Sequence, residues 1–198
     1  MNRIVFLLMA SAAAAGCART QPAVAPVEAV AAAPAVDVNS PLYAPMFLQT
    51  AASSNLWEMQ SSEIAHPRAI SSAIHSFATM ITNDHTALGA QMMAAAQAAG
   101  LPPPPQALMP DDQQMLAQLQ AAPTGTFDVA YRDMQVAAHQ KAVNLFQSYA
   151  ASGDNPTLRA TAAQALPKLQ QHLAMAQALQ VSVAPQPAQQ APRPGERG

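Results

Sequence analysis

Residues 67–100 read PRAISSAIHSFATMITNDHTALGAQMMAAAQAAG, and this stretch decides the fold. Ile70, Ile74, Phe77, Ile81, Leu88 and Met92 fall on one stripe at helical spacing. Pro67 suits the first position of such a helix, where a missing N–H loses nothing, and Gly100 suits the residue just past its end. A long helix with one apolar stripe must cover that stripe with other helices.

The flanking sequence supplies them. Phe47, Ala51, Ser54, Trp57 or Glu58, and Ile64 mark an earlier helix that ends near His66-Pro67. Leu101-Pro102-Pro103-Pro104-Pro105 is a rigid connector, and Asp111-Asp112-Gln113-Gln114 opens a short helix with Asp111 and Gln114 at capping-box spacing. Pro123-Thr124-Gly125-Thr126 breaks the chain again. A third long helix follows through Phe127, Ala130 or Tyr131, Met134, Ala138, Leu145 and Tyr149 to Gly153. Asp154-Asn155-Pro156 then gives a cap and a first-position proline to a fourth, carrying Leu158, Ala162, Leu166, Leu169, Leu173, Ala176 and Leu179. Pro167 predicts a kink in that helix. No segment reads as a strand. The fold class is all-α: a four-helix bundle with a short extra helix in the connection between its two hairpins, either up-down-up-down or crossover.

The ends differ from the core. Met1-Asn2-Arg3, an apolar run from Ile4 to about Ala13 and small residues before Cys17 read as a signal peptide over 1–16. Cys17, the single cysteine, is the expected lipidation site, although Ala14 stands where bacterial lipoboxes usually carry Leu. Several acyl chains on that thiol give a stable membrane anchor. Ala18, in place of an aspartate, points to the outer membrane by resemblance to Gram-negative lipoproteins. The unlipidated alternative is a soluble periplasmic protein. Residues 17–40 form an Ala/Pro-rich tether, 41–181 the bundle domain, and 182–198 a Pro/Gln-rich tail too polar to bury a core. With one cysteine no internal disulfide exists. The formal net charge is −2 with no basic stripe, which argues against nucleic acid as a partner.

Phe77-Ala78-Thr79-Met80-Ile81-Thr82-Asn83-Asp84-His85 resembles the signature of a bacterial family, domain of unknown function four-one-four-two. Trp57-Glu58-Met59, Gly100-Leu101-Pro102, Asp128-Val129-Ala130-Tyr131 with His139, and the run Leu166 to Leu173 with His172 complete the likeness over about Leu42 to Leu179. Members are often labelled predicted outer membrane proteins and are regarded as ferritin-like. The resemblance implies a helical bundle in the cell envelope and carries no reaction.

Asp84, His85, His139 and His172 lie on three different helices and are the candidate metal ligands. In an up-down-up-down bundle, at about 1.5 Å rise per residue, His85 and His139 stand about 21 and 22 Å above one bundle end and His172 about 17 Å. A crossover still leaves all three near mid-height. Imidazole and carboxylate suit a divalent zinc, copper or iron ion. The competing and favoured account is a buried hydrogen-bond network that fixes helix register. The same arithmetic argues against a di-iron centre: Glu63-x-x-His66 is the lone Glu-x-x-His pair, and Glu58 is expected about 15 Å along the axis from His85, nearer His75. Tyr131 reads as a core aromatic with its hydroxyl satisfied, and the methionines as core fillers rather than copper ligands.

No phosphate loop, cysteine pair or nucleophile elbow is present. The sequence therefore predicts a non-catalytic envelope lipoprotein with structural, partner-binding or stress-related duties. Its expected partners are the membrane, through the lipid, and an envelope protein; no established cofactor and no oligomeric state follow. The alternative is a ferritin-like metal-binding protein.

Overall fold

The computed structural model describes residues 37–181. The signal peptide, Cys17, most of the tether and the tail from residue 182 lie outside the described residues. The elements are α1 (Ala44–Arg68), α2 (Ser72–Ala98), α3 (Pro110–Ala121), a short 3-10 turn (Thr124–Thr126), α4 (Phe127–Ser152) and α5 (Pro156–Ala178). Among the described residues there is no strand, and no helix is long and apolar enough to cross a membrane.

Two apolar clusters at opposite ends reveal the helix directions. Phe47 and Leu48 from the start of α1 share one cluster with Met92 and Ala96 from the end of α2. Phe146 and Tyr149 from the end of α4, and Leu158 and Ala162 from the start of α5, join them. The other cluster holds Ala65, Ile74, Phe77, Leu119, Phe127, Tyr131 and Ala176. So α1 and α5 run one way and α2 and α4 the other, with α3 returning the chain along the bundle. α1 packs on α2 and α4, and α5 on α4 and α2. This is a bundle with one long crossover, the ferritin-like alternative. α3 closes over the α1–α4 seam, where Leu116 meets Trp57 and Ala138.

Side chains pin the crossover. Arg68, in the last turn of α1, donates to the carbonyls of Leu119 (3.1 Å), Gln120 (2.8 Å) and Ala122, satisfying the end of α3. Its guanidinium lies 4.4 Å over the Phe127 ring. Asp128 of α4 accepts from the backbone N–H groups of Ile70 (3.1 Å) and Ser71 (2.8 Å), tying the α1–α2 turn to the bundle.

Gly100 sits at φ 69 after α2, with Leu101 N donating to Ala96 O, so the expected helix stop holds. Asn155 caps α5 through Leu158 N at 3.1 Å, with Pro156 at its start. The structure corrects three expectations. Pro67 lies inside the last turn of α1 rather than opening α2. Ser71 caps α2 by accepting from Ala73 N, so Ile70 falls in the turn and is exposed. Asp111 makes no cap: Pro110 takes the first turn of α3, and Asp112 instead accepts from Ser53 Oγ. α5 continues through Pro167.

Candidate metal centre

Between the two apolar clusters lies a polar layer to which each long helix contributes. α2 brings His85 inward and Asp84 toward the rim, α4 brings Gln135 and His139, α5 brings His172, and α1 brings Asn55 and Glu58 one turn apart. His85, His139 and His172 are 2 %, 0 % and 1 % exposed. Their ring centroids form a nearly equilateral triangle: 5.6 Å for His85–His139, 5.4 Å for His85–His172 and 5.3 Å for His139–His172. One nitrogen from each lies within 4.8 Å of the others. The shared level expected from helical rise is matched by convergent facing, which no spacing argument supplies.

Each imidazole is held by its outer nitrogen. His85 Nδ1 pairs with Asn55 Oδ1 at 3.0 Å, His139 Nδ1 with the Gln135 carbonyl at 3.0 Å, and His172 Nε2 with Asp84 Oδ2 at 2.9 Å. All three partners are acceptors, so in each neutral ring the outer nitrogen carries the proton. The Asn55 amide is oriented by its own Nδ2, which donates to Met59 Sδ at 3.8 Å. The inner nitrogens, His85 Nε2, His139 Nε2 and His172 Nδ1, are therefore bare lone pairs with no hydrogen-bond partner among the described residues. Three acceptors facing one another cannot satisfy each other. Each buried orphan costs about 1–3 kcal/mol.

Protonation is disfavoured as the remedy. Burial holds His85 well below the usual imidazole range, with His139 and His172 adding to it. Burial also pushes His139 down to about 4, against the opposing pull of the Gln135 carbonyl. His172 is lowered by burial too, although Asp84 works the other way. Burial acts to raise the Asp84 carboxyl, but hydrogen bonds from His172 and Lys168 prevail and hold it below the carboxylate range. Lys168 Nζ lies 3.2 Å from Asp84 Oδ2 at the bundle rim.

Asp84 is thus a support for His172 and stands outside the convergent group, which contains the three histidines. Glu58 overturns its expected place. It is 1 % exposed, with Oε1 3.3 Å from His139 Nδ1, whereas His75 bonds the Ala69 carbonyl at 3.1 Å. The reason is the turn: α1 runs on through Pro67 to Arg68, which moves the hairpin's mirror point along the chain. Glu58 and His85 then stand within about one helical turn of the same level. Burial pushes the Glu58 carboxyl well above its ordinary range, and Asp112 adds to this. Gln135 opposes it, but its Nε2 is committed to Ser61 Oγ at 3.0 Å. Among the described residues both Glu58 oxygens are without a hydrogen-bond partner.

Asn55 and Gln135 escaped the sequence reading. The trace of Asn55 there was faint, a polar residue one turn from Glu58, and Gln135 left none, because it acts through its backbone carbonyl. The Tyr131 hydroxyl is satisfied as expected, 3.1 Å from Ser62 Oγ.

The donor set fits a metal. Three neutral imidazoles, each with its outer N–H fixed by an oxygen, are the arrangement in which ring orientation and basicity are set for ligation. Three histidines with a free fourth position are a known zinc donor set, and imidazole also suits copper and iron.

Residues 25–179 match the sequence profile of a family described as "Domain of unknown function (DUF4142)". No curated protein matches the chain. A solved structure described as "CopM in the Cu(II)-bound form" is similar at a TM-score of 0.58 and 16% identity, covering 69% of this chain and 94% of that one. That likeness shows the helical fold.

Proposed function

The chain belongs to the DUF4142 family, and from that premise we propose that its bundle is a metal-binding module holding one transition-metal ion on His85, His139 and His172. One observation carries the reading: one nitrogen from each of three buried imidazoles lies within 4.8 Å of the others, and each ring has a nitrogen with no hydrogen-bond partner among the described residues. A register-fixing network needs donors matched to acceptors, and here the inner half of each ring lacks one. A bound ion would accept all three lone pairs and serve as a Lewis acid with a free coordination position. The protein's own residues orient and flank the site: Asn55, the Gln135 backbone carbonyl and Asp84 fix the rings, and the two apolar clusters lie on either side.

Burial of all three ligands supports holding an ion rather than turning over a substrate. The apolar leader and Cys17 support a lipid-anchored protein of the outer membrane. Among zinc, copper and iron, the Cu(II) bound by the similar CopM structure favours copper.

Elemental analysis of tag-free protein refolded with zinc, copper and iron tests the reading. One ion per chain is expected, lost in the His85→Ala/His139→Ala double variant. Metal no higher than in that variant would sink it.

A further inference from the structure

Ligands buried to this degree need a route by which an ion arrives. A cavity of about 300 Å³ between α1 and α2 has Met59, Met92 and Met93 in its wall, and Asn55 and His85 beside them. Met93 is 48 % exposed, Met92 5 %. The cavity wall thus holds both an exposed methionine and an imidazole of the buried centre. In the same wall the Met59 sulfur contacts Asn55 Nδ2 at 3.8 Å, and the other end of that amide holds His85 Nδ1 at 3.0 Å.

We propose that this cavity is the loading port of the centre and takes a soft monovalent ion, Cu(I), on its methionine sulfurs before passing it to His85. The inference rests on the three-histidine reading above and narrows its ion. Thioethers are soft, uncharged donors that favour Cu(I) over hard divalent ions. Methionine also bends easily, so such a wall can yield to a moving ion.

The gate is the Asn55 amide. Swinging it away frees His85 Nδ1, and a turn of the ring presents the bare Nε2 to the cavity; no proton or electron moves. Gly89 explains itself in the same terms. A glycine in mid-helix costs about 1 kcal/mol relative to alanine, yet a Cβ here would lie 3.0 Å from Asn55 Nδ2. Its absence leaves the amide room.

The test follows Cu(I) moving from a coloured bicinchoninate complex to the full-length protein, without oxygen and with ascorbate present. Wild type should bleach one equivalent. The Met59→Leu/Met92→Leu/Met93→Leu variant, nearly volume-conserving, should reach the same end point about tenfold or more slowly, a change of about one factor of ten in barrier crossing. Gly89→Ala should also slow loading and serves independently if the triple variant does not fold. Equal rates in wild type and both variants overturn the port while leaving the three-histidine reading intact. Slowing confined to Asp84→Asn also overturns it, because the ion then arrives from the α2–α5 side. A lost end point in the triple variant overturns it as well, by making the sulfurs permanent ligands. If wild type takes none of Cu(I), Zn(II) and Fe(II), the three-histidine reading fails and the port with it.

Discussion

Asp84 Oδ2 lies 2.9 Å from His172 Nε2 across the α2–α5 seam, a half-exposed carboxylate gripping the back of a fully buried imidazole. The bond determines which His172 nitrogen faces the centre. Asp84→Ala should therefore weaken metal binding by about 10–100-fold without removing a ligand, the usual effect of losing an outer-shell partner. Titration against a competing chelator reads it, and unchanged affinity would mean the carboxylate does not orient the ring.

The metal-free protein should lose stability as pH falls from about 6.5 toward 4. His139 titrates near 4 when folded, and His85 and His172 are also held below the ordinary imidazole value of 6.5, chiefly by burial. In that window the unfolded chain binds more protons, so acid favours unfolding. Urea melts at pH 7, 5.5 and 4.5 measure it. A flat profile in metal-free protein would show that the histidines are not buried neutral.

Glu58 has the opposite sign. Its carboxyl is raised well above 4.5 by burial, so the folded state keeps a proton that the unfolded chain releases. That contribution is present below about pH 4.5 and fades as pH rises through the folded value. Glu58→Gln keeps the shape and removes the acid. Relative to wild type, the variant should gain stability as pH rises above about 4.5, and a constant difference in denaturant midpoint would contradict the assignment.

Gly153 faces the Tyr149 ring so closely that an added Cβ would lie 2.5 Å from it. That ring stacks on Phe47 at 3.8 Å and donates from its hydroxyl to Asp154 at 2.9 Å. Gly153→Ala should destabilise the bundle by about 1–3 kcal/mol through overpacking. Thermal unfolding checks it, and a neutral result would mean the α4–α5 corner has room to shift.

Local chemistry made much of this protein legible from the chain alone. Stripes at helical spacing, Asn155-Pro156 before α5 and Gly100 after α2 specify helices because caps and periodicity act over a few residues. Helical rise also placed His85, His139 and His172 at one level, since distance along a helix is set by residue count. Facing and neighbours are settled at long range. The crossover, and hence which helices touch, depends on Arg68 and Asp128 reaching partners more than fifty residues away. Pro67 was tolerated inside α1, and that shift of one turn carried Glu58 into the histidine layer. Asn55 acquired its role only when packing brought α1 against the His85 ring, whereas the Gln135 backbone carbonyl meets His139 within α4 itself. Sequence sets the height of a side chain on its helix; burial against three other helices decides where it points.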